Sequence, residues 1–240
     1  MINYNDKAMK NSKLLLMTSG IVFMALAFQS CLNDDTFDDY LYPNALVTVK
    51  PVTDKSFFLQ LNDSTTLYPV NVTASPYADK EVRALVNYKE VKEPSNGYSK
   101  AVYINWIDSI LTKTMVPDLG SDDDATYGND PVEIVNDWVT VLEDGYLTLR
   151  IRTVHGSQPQ KHTVNLLAAS DPAKPYEIEF RHNACGDVDG TFRDALVAFR
   201  LNMLPNTNGK TVKLKLKWKS FSGDKWAEFN YCTRSESTVK

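Results

Sequence analysis

Hydrophobic and polar residues alternate along most of this chain in short runs, broken at regular intervals by turn-forming residues. Leu46-Val47-Thr48-Val49-Lys50 alternates, and Phe57-Phe58-Leu59-Gln60-Leu61 follows a Thr53-Asp54-Lys55-Ser56 break. Asn62-Asp63-Ser64-Thr65 turns the chain before Thr66-Leu67-Tyr68-Pro69-Val70, and Arg83 to Tyr88 and Tyr98 to Ile107 continue the pattern. β-Branched and aromatic side chains suit a pleated, half-buried surface, so such runs predict the strands of a small barrel or sandwich. Asn105 to Met115 reads equally as a short helix or as a strand carrying Ile107, Ile110 and Leu111.

A polar, Gly-containing stretch from Asp118 to Asp130 lies between Pro117 and Pro131, and the pattern places a domain boundary at its end, after residue 129. Beyond it, Pro131 to Val141 carries Trp138, and Glu143-Asp144-Gly145 precedes Tyr146 to Arg152 in strict alternation. Asp-Gly flanked by alternating runs predicts a hairpin. His162 to Leu167, Tyr176 to Arg181, Leu196 to Leu201, Val212 to Trp218 and Trp226 to Tyr231 supply further strands. Several have one apolar and one polar face, as antiparallel sheets require. The expectation is two all-β domains in series, without internal repeat or heptad.

The amino terminus departs from this texture. Lys7, Lys10 and Lys13 precede an apolar run from Leu14 to Phe28, then Gln29, Ser30 and Cys31, after which the chain turns acidic. A charged entry, an apolar stretch too short to span a bilayer comfortably and a small residue before a cut describe a secretory signal over residues 1–30. The start is at Met1 or at Met9, where Met9-Lys10 would open a signal of ordinary length. Cys31 stands where lipoprotein maturation attaches diacylglycerol, and several acyl chains make a durable membrane anchor. The alternative is an ordinary cleavage site with an incidental cysteine. Residues 31–42 then form a lipidated acidic tether.

Composition narrows the possibilities. Without residues 1–30 the chain keeps 23 basic against 29 acidic side chains, a net charge of −6. That argues against binding nucleic acid or anionic membrane through the whole surface. With 43% hydrophobic residues a packed core is expected. After Cys31 only Cys185 and Cys232 remain, either paired in an oxidising compartment or present as two small buried thiols.

Leu46-Val47-Thr48-Val49, Thr66 to Val70, Arg83 to Tyr88, Gly128-Asn129-Asp130-Pro131-Val132, Gly145-Tyr146-Leu147-Thr148 and Arg181-His182-Asn183-Ala184-Cys185-Gly186-Asp187 occur in an order and spacing that resembles the NigD-like lipoproteins of Bacteroidota. The resemblance spans nearly the whole mature chain. It implies an all-β fold, with an N-terminal OB-like barrel over residues 43–129 followed by an antiparallel β-sandwich over residues 130–240. It carries no established biochemical activity. Asn33-Asp34-Asp35 after the cysteine also resembles the signal that sends such lipoproteins to the cell surface.

Few residues suggest chemistry. Asp122, Asp124, Thr126 and Glu133 have calcium-like spacing, but Tyr127 stands where an EF-hand loop needs glycine, and a solvated acidic loop is expected instead. Arg181, His182, Asn183 and Asp187, with Asp189, form the densest polar cluster, imaginable as a His–Asp pair or a metal pair. His155 and His162 sit in other segments and no ligand spacing is recognisable, so the residues call for no metal and no cofactor; with Gly186 and Gly190 beside the cluster, a loop whose polar side chains satisfy its own backbone is expected. Lys213, Lys215, Lys217 and Lys219 share one face of a strand, with no aromatic expected beside them, and a solvent face is expected rather than a nucleic-acid site. Tyr98, Tyr103 and Trp106 are candidates to line a barrel face. The expected function is that of a non-enzymatic outer-membrane lipoprotein with a protein or glycan partner and no nucleic acid. An immunity protein of a bacteriocin-type system and a metal-assisted hydrolase using His182, Asp187 and Asp189 are the alternatives.

Overall fold

The computed structural model describes residues 41–158 and 160–234; the signal, Cys31, the tether through residue 40 and residues 235–240 lie outside them. Five strands come first: β1 (Ala45–Thr53), β2 (Ser56–Gln60), β3 (Thr66–Pro69), β4 (Val82–Glu90) and β5 (Lys100–Ser109). They close in the order β1-β2-β3-β5-β4, with β4 pairing back onto β1. This is the five-stranded OB barrel. Val47, Val49, Phe57, Leu59, Leu67, Ala84, Val86 and Val102 fill it, each from the inward-pointing set of its strand.

The segment read as helix or strand is strand: after Ile110 the chain continues as β6 (Leu111–Thr114). There follow a 3-10 turn (Gly120–Asp122), the short helix α1 (Asp123–Tyr127), β7 (Glu133–Val135), β8 (Val141–Glu143) and β9 (Tyr146–His155). The last strands are β10 (Thr163–Leu167), β11 (Glu177–Asn183), β12 (Thr191–Arg200), β13 (Val212–Ser220) and β14 (Gly223–Tyr231). They make two sheets, β10-β11-β13-β14 and β6-β12-β9-β7, with β8 also paired to β9. Leu147, Leu149, Ile151, Phe199 and Val197 from one sheet meet Leu166, Ile178, Phe180, Leu214 and Leu216 from the other. Among the described residues no helix is long and apolar enough to cross a membrane.

The Asp-Gly hairpin forms as expected. Asp144 and Gly145 have φ of 50° and 74°, and Glu143 opposes Tyr146 across a two-residue turn. The left-handed conformation at both positions matches the twist of the flanking strands.

Two expectations need correcting. The sandwich is mixed, not antiparallel: β11–β13 and β6–β12 are parallel. The chain leaves β11 for the opposite sheet as β12 before returning as β13, so no hairpin forces those neighbours to run opposite ways. The second domain also begins earlier than residue 130. β6 already belongs to its sheet, and beyond β6 the Val116 N–H donates to the Leu166 carbonyl at 2.9 Å, while the Ala168 N–H donates back to Val116 at 2.9 Å. The Asp- and Gly-rich stretch is therefore part of the sandwich, although its composition reads as a linker.

Barrel and sandwich share a third cluster, in which Leu46, Leu85 and Ile110 pack on Val139, Val141, Leu196 and Ala198. Beside it lie charges taken out of water. Lys50 Nζ meets Asp144 Oδ1 at 2.7 Å with both side chains under 10% exposed. Arg83 is fully buried; it donates to Thr48 Oγ1 at 3.1 Å and Thr148 Oγ1 at 3.3 Å and pairs with Glu143 at 3.5 Å. Burial pushes the Arg83 pKa down, against the opposing pull of Glu143 and then Asp144. Arg234 and Tyr146 both reach Glu81, at 2.6 and 2.7 Å.

Candidate functional site

The polar cluster read from the sequence is divided by the strand on which it lies. Successive residues of β11 point to opposite faces, so Arg181 and His182 cannot serve one site. Arg181 emerges on the outer face of its sheet, where it pairs with Asp124 at 2.6 Å and Glu179 at 2.8 Å. His182, 2% exposed, points inward. Asn183 turns away to accept from the Cys185 N–H at 2.8 Å.

The inward side holds all three histidines of the chain. His155 ends β9, His162 precedes β10, His182 lies in β11 and Asp187 in the β11–β12 loop. The His155 and His162 rings stack with centroids 4.1 Å apart and 11° between planes. His162 Nδ1 lies 3.0 Å from His182 Nε2, and His182 Nδ1 lies 3.1 Å from the Pro131 carbonyl oxygen. His155 Nε2 meets Thr153 Oγ1 at 2.9 Å. Asp187 Oδ2 is 3.4 Å from His162 Nε2 and 3.7 Å from His155 Nδ1. Burial pushes the His182 and His155 pKa values down, with His162 adding to both. Burial works against the Asp187 charge, but the N–H groups of Gly156 and Gln160 donate to it at 2.6 and 3.1 Å and hold its carboxyl below the usual range.

These histidines are far apart in the sequence, and the fold brings them together. The β9–β10 and β11–β12 loops both cross between the two sheets at the same end of the sandwich. Gly190 makes their approach possible: a Cβ there would lie 2.0 Å from the His155 carbonyl oxygen. The only signal in the sequence was that a chain with so few histidines places each at or beside a strand terminus.

The outer face of β11-β13-β14 overturns a second expectation. Lys217 lies directly opposite Trp226, which is 61% exposed, and Lys215 Nζ sits 5.1 Å from the centroid of that ring. An aromatic therefore does accompany the lysines on their own face; pairing register, invisible in the sequence, brings it there. Trp226, Lys215, Lys217, Arg181, Glu179 and Asn129 line a groove of about 340 Å³. Its charges are mutually held: Lys217 pairs with Glu177, and Lys219 Nζ donates to the Asn129 carbonyl at 2.9 Å.

The remaining candidates are structural. Asp123 is buried and its Oδ1 accepts from the Leu119 N–H at 2.9 Å, while Glu133 bonds Ser220 and Lys225, so the acidic loop is neither solvated throughout nor convergent. Cys185 is exposed and Cys232 half-buried, and both are free thiols. Tyr98 packs on Phe58 and Tyr68 at 5.0 and 5.7 Å, whereas Tyr103 lies exposed beneath Lys89.

An OB barrel joined to a mixed β-sandwich defines a two-domain all-β protein. The NigD-like N-terminal OB domain model matches residues 46–110 and the NigD-like C-terminal β-sandwich domain model matches residues 114–231. The chain belongs to the NigD-like family. Among solved structures it is similar to a protein from Parabacteroides distasonis named as a candidate toxin-related protein, at 33% identity and a TM-score of 0.66, over 79% of this chain and 92% of that one. It is also similar in fold to a NigD-like immunity protein from Bacteroides caccae, at 23% identity and a TM-score of 0.55, over 78% and 96% of the two chains. A third, from Bacteroides fragilis and named as a candidate lipoprotein, shares 16% identity at a TM-score of 0.54, over 79% and 99%. No curated protein matches the chain.

Proposed function

We propose that this chain is a non-enzymatic outer-membrane lipoprotein, anchored by acyl chains on Cys31, that binds a glycan on the outer face of its sandwich. The observation that carries the binding reading is the exposed Trp226 in its polar groove. A large aromatic left 61% exposed is a ready contact residue. The groove around it is lined mostly by charged side chains, with the Asn129 amide and a second tryptophan, Trp218, and with no aliphatic residue, which suits a polyhydroxylated ligand better than the apolar anchor of a protein partner. Its ion pairs hold long side chains in fixed positions, a favourable state for recognition and an unpromising one for proton transfer.

On a glycan array, full-length protein in detergent is expected to retain at least one surface polysaccharide, with Trp226→Ala weakening retention tenfold or more, roughly 1.4 kcal/mol. Retention unchanged in Trp226→Ala, or no glycan retained, would remove this reading. The address is supported by the signal-like segment, by Asn33-Asp34-Asp35 and by the name of the Bacteroides fragilis relative. Protease applied to intact cells is expected to degrade the wild-type chain while a periplasmic marker survives, and Cys31→Ala is expected to be protected or lost from the membrane. Survival of the wild-type chain until the outer membrane is opened would place it on the periplasmic side instead.

The immunity reading has its own support in the names of the Bacteroides caccae and Parabacteroides distasonis relatives. Unchanged sensitivity of a deletion strain to neighbouring antibacterial products would end it.

A further inference from the structure

The three-histidine cluster contains an electrostatic contradiction that a cation resolves. The Pro131 carbonyl can only accept, so His182 Nδ1 carries the ring proton and Nε2 presents a lone pair. That lone pair, 3.0 Å from His162 Nδ1, must accept a proton from it. His162 Nε2 is then itself a bare lone pair. It is buried, has no hydrogen-bond partner and faces an Asp187 oxygen at 3.4 Å. His155 Nδ1 turns toward the same oxygen at 3.7 Å, its other nitrogen being engaged by Thr153. The three candidate ligand atoms thus lie within 4.8 Å of one another, and because the His155 and His162 rings are stacked, one imidazole must tilt for both to face a single ion.

We infer that His155, His162 and Asp187 bind a divalent transition-metal ion, zinc fitting best, through His155 Nδ1, His162 Nε2 and Asp187 Oδ2. Tetrahedral zinc with bonds of 2.0–2.1 Å separates its ligands by about 3.4 Å, and the two edges that meet at Asp187 Oδ2 measure 3.4 and 3.7 Å. Two imidazoles and a carboxylate form a donor set suited to zinc, and water would complete the fourth position. The supporting shell is in place: Thr153 orients His155, His182 fixes the tautomer of His162, and the Gly156 and Gln160 amides hold Asp187. A Cβ on Gly156 would lie 2.7 Å from Asp187 Oδ1, so that residue too is tailored to the carboxylate. The ion would fasten the two crossover loops together at one end of the sandwich. The site stands apart from the Trp226 groove and its success or failure is independent of the glycan reading.

The test uses full-length protein in detergent, without a polyhistidine tag, stripped with chelator and titrated calorimetrically with zinc. One ion per chain is expected, with His155→Ala and Asp187→Asn each weakening binding by on the order of 100-fold and Trp226→Ala leaving it unchanged. Cobalt in place of zinc is expected to give the visible absorption of a tetrahedral centre, absent from both ligand variants. His182 is a positioning residue: His182→Ala should weaken binding roughly 10- to 100-fold. His182→Gln, whose Oε1 can accept from His162 Nδ1, should restore most of it. Substoichiometric zinc in the wild type, or full affinity in Asp187→Asn with circular dichroism unchanged, would overturn the site and leave a proton as the bridge between His162 and Asp187.

Discussion

Asp144→Asn is expected to destabilise the protein by about 3 kcal/mol, although it changes one carboxylate oxygen to an amide nitrogen. Asn tolerates the left-handed conformation that Asp144 adopts at φ 50°, so the hairpin turn survives the exchange. What is lost is the charge that faces Arg234 Nη1 at 3.6 Å and, above all, Lys50, whose ammonium is less than a tenth exposed and whose remaining bond is a 3.5 Å contact to Gln60 Oε1. Breaking a buried ion pair from one side costs about 3–5 kcal/mol, because the surviving charge stays out of water uncompensated. The lower end applies here, since the Asn oxygen can still accept from Lys50. Urea unfolding at constant pH measures it, and a loss below about 1 kcal/mol would show that the pair is not isolated from solvent. Lys50→Met with Asp144→Asn should recover at least half of the loss, because a buried pair exchanged for apolar surface is often close to neutral.

Phe180→Ala should cost about 4 kcal/mol by the same measurement. Phe180 is 1% exposed at the centre of β11 and meets Phe199 of the opposite sheet edge-on, with centroids 5.9 Å apart at 85°. Leu166 and Trp218 lie opposite it on the neighbouring strands, so the site cannot collapse without moving two ladders. Phe-to-Ala exchanges in well-packed cores cost about 3–5 kcal/mol, the cavity adding to the lost transfer energy. Phe192→Ala supplies the contrast. Its ring is 60% exposed and meets the Phe221 ring edge-to-face at 5.2 Å, so a change below about 1 kcal/mol is expected. Similar losses for the two would mean that the sandwich core is not centred on the Phe180–Phe199 contact.

Much of the fold was legible along the chain because its signals are local. Alternation in β13 places Leu214, Leu216 and Trp218 inside and the intervening lysines outside, and the exposure of each residue agrees. Asp144-Gly145 marks a hairpin because few other pairs accept positive φ at both positions. Strand period and turn chemistry depend on residues within a few positions of one another, which any reading of the chain can see.

Contacts between distant segments obey no such local rule, and only the tertiary structure decided them. In β1 six consecutive residues, Ala45 to Lys50, are buried. The barrel takes Val47 and Val49, while the sandwich covers Leu46 and receives Lys50, so a face that alternation assigns to solvent becomes an interface. β9 behaves likewise, with Tyr146 and Thr148 buried on its polar face and Arg152 exposed where the strand runs past the barrel. Register set Trp226 beside the lysines, and two crossover loops brought His155 and His162 to Asp187. Sequence alone determined most of the strands, their turns and their inward faces, since these follow from the period of the backbone; the stretch from Asn105 to Met115, where that period is ambiguous, it left open. Which outward faces remain in water, and which distant polar groups converge, depended on how completed sheets pack, where burial and electrostatics act between residues that no local pattern connects.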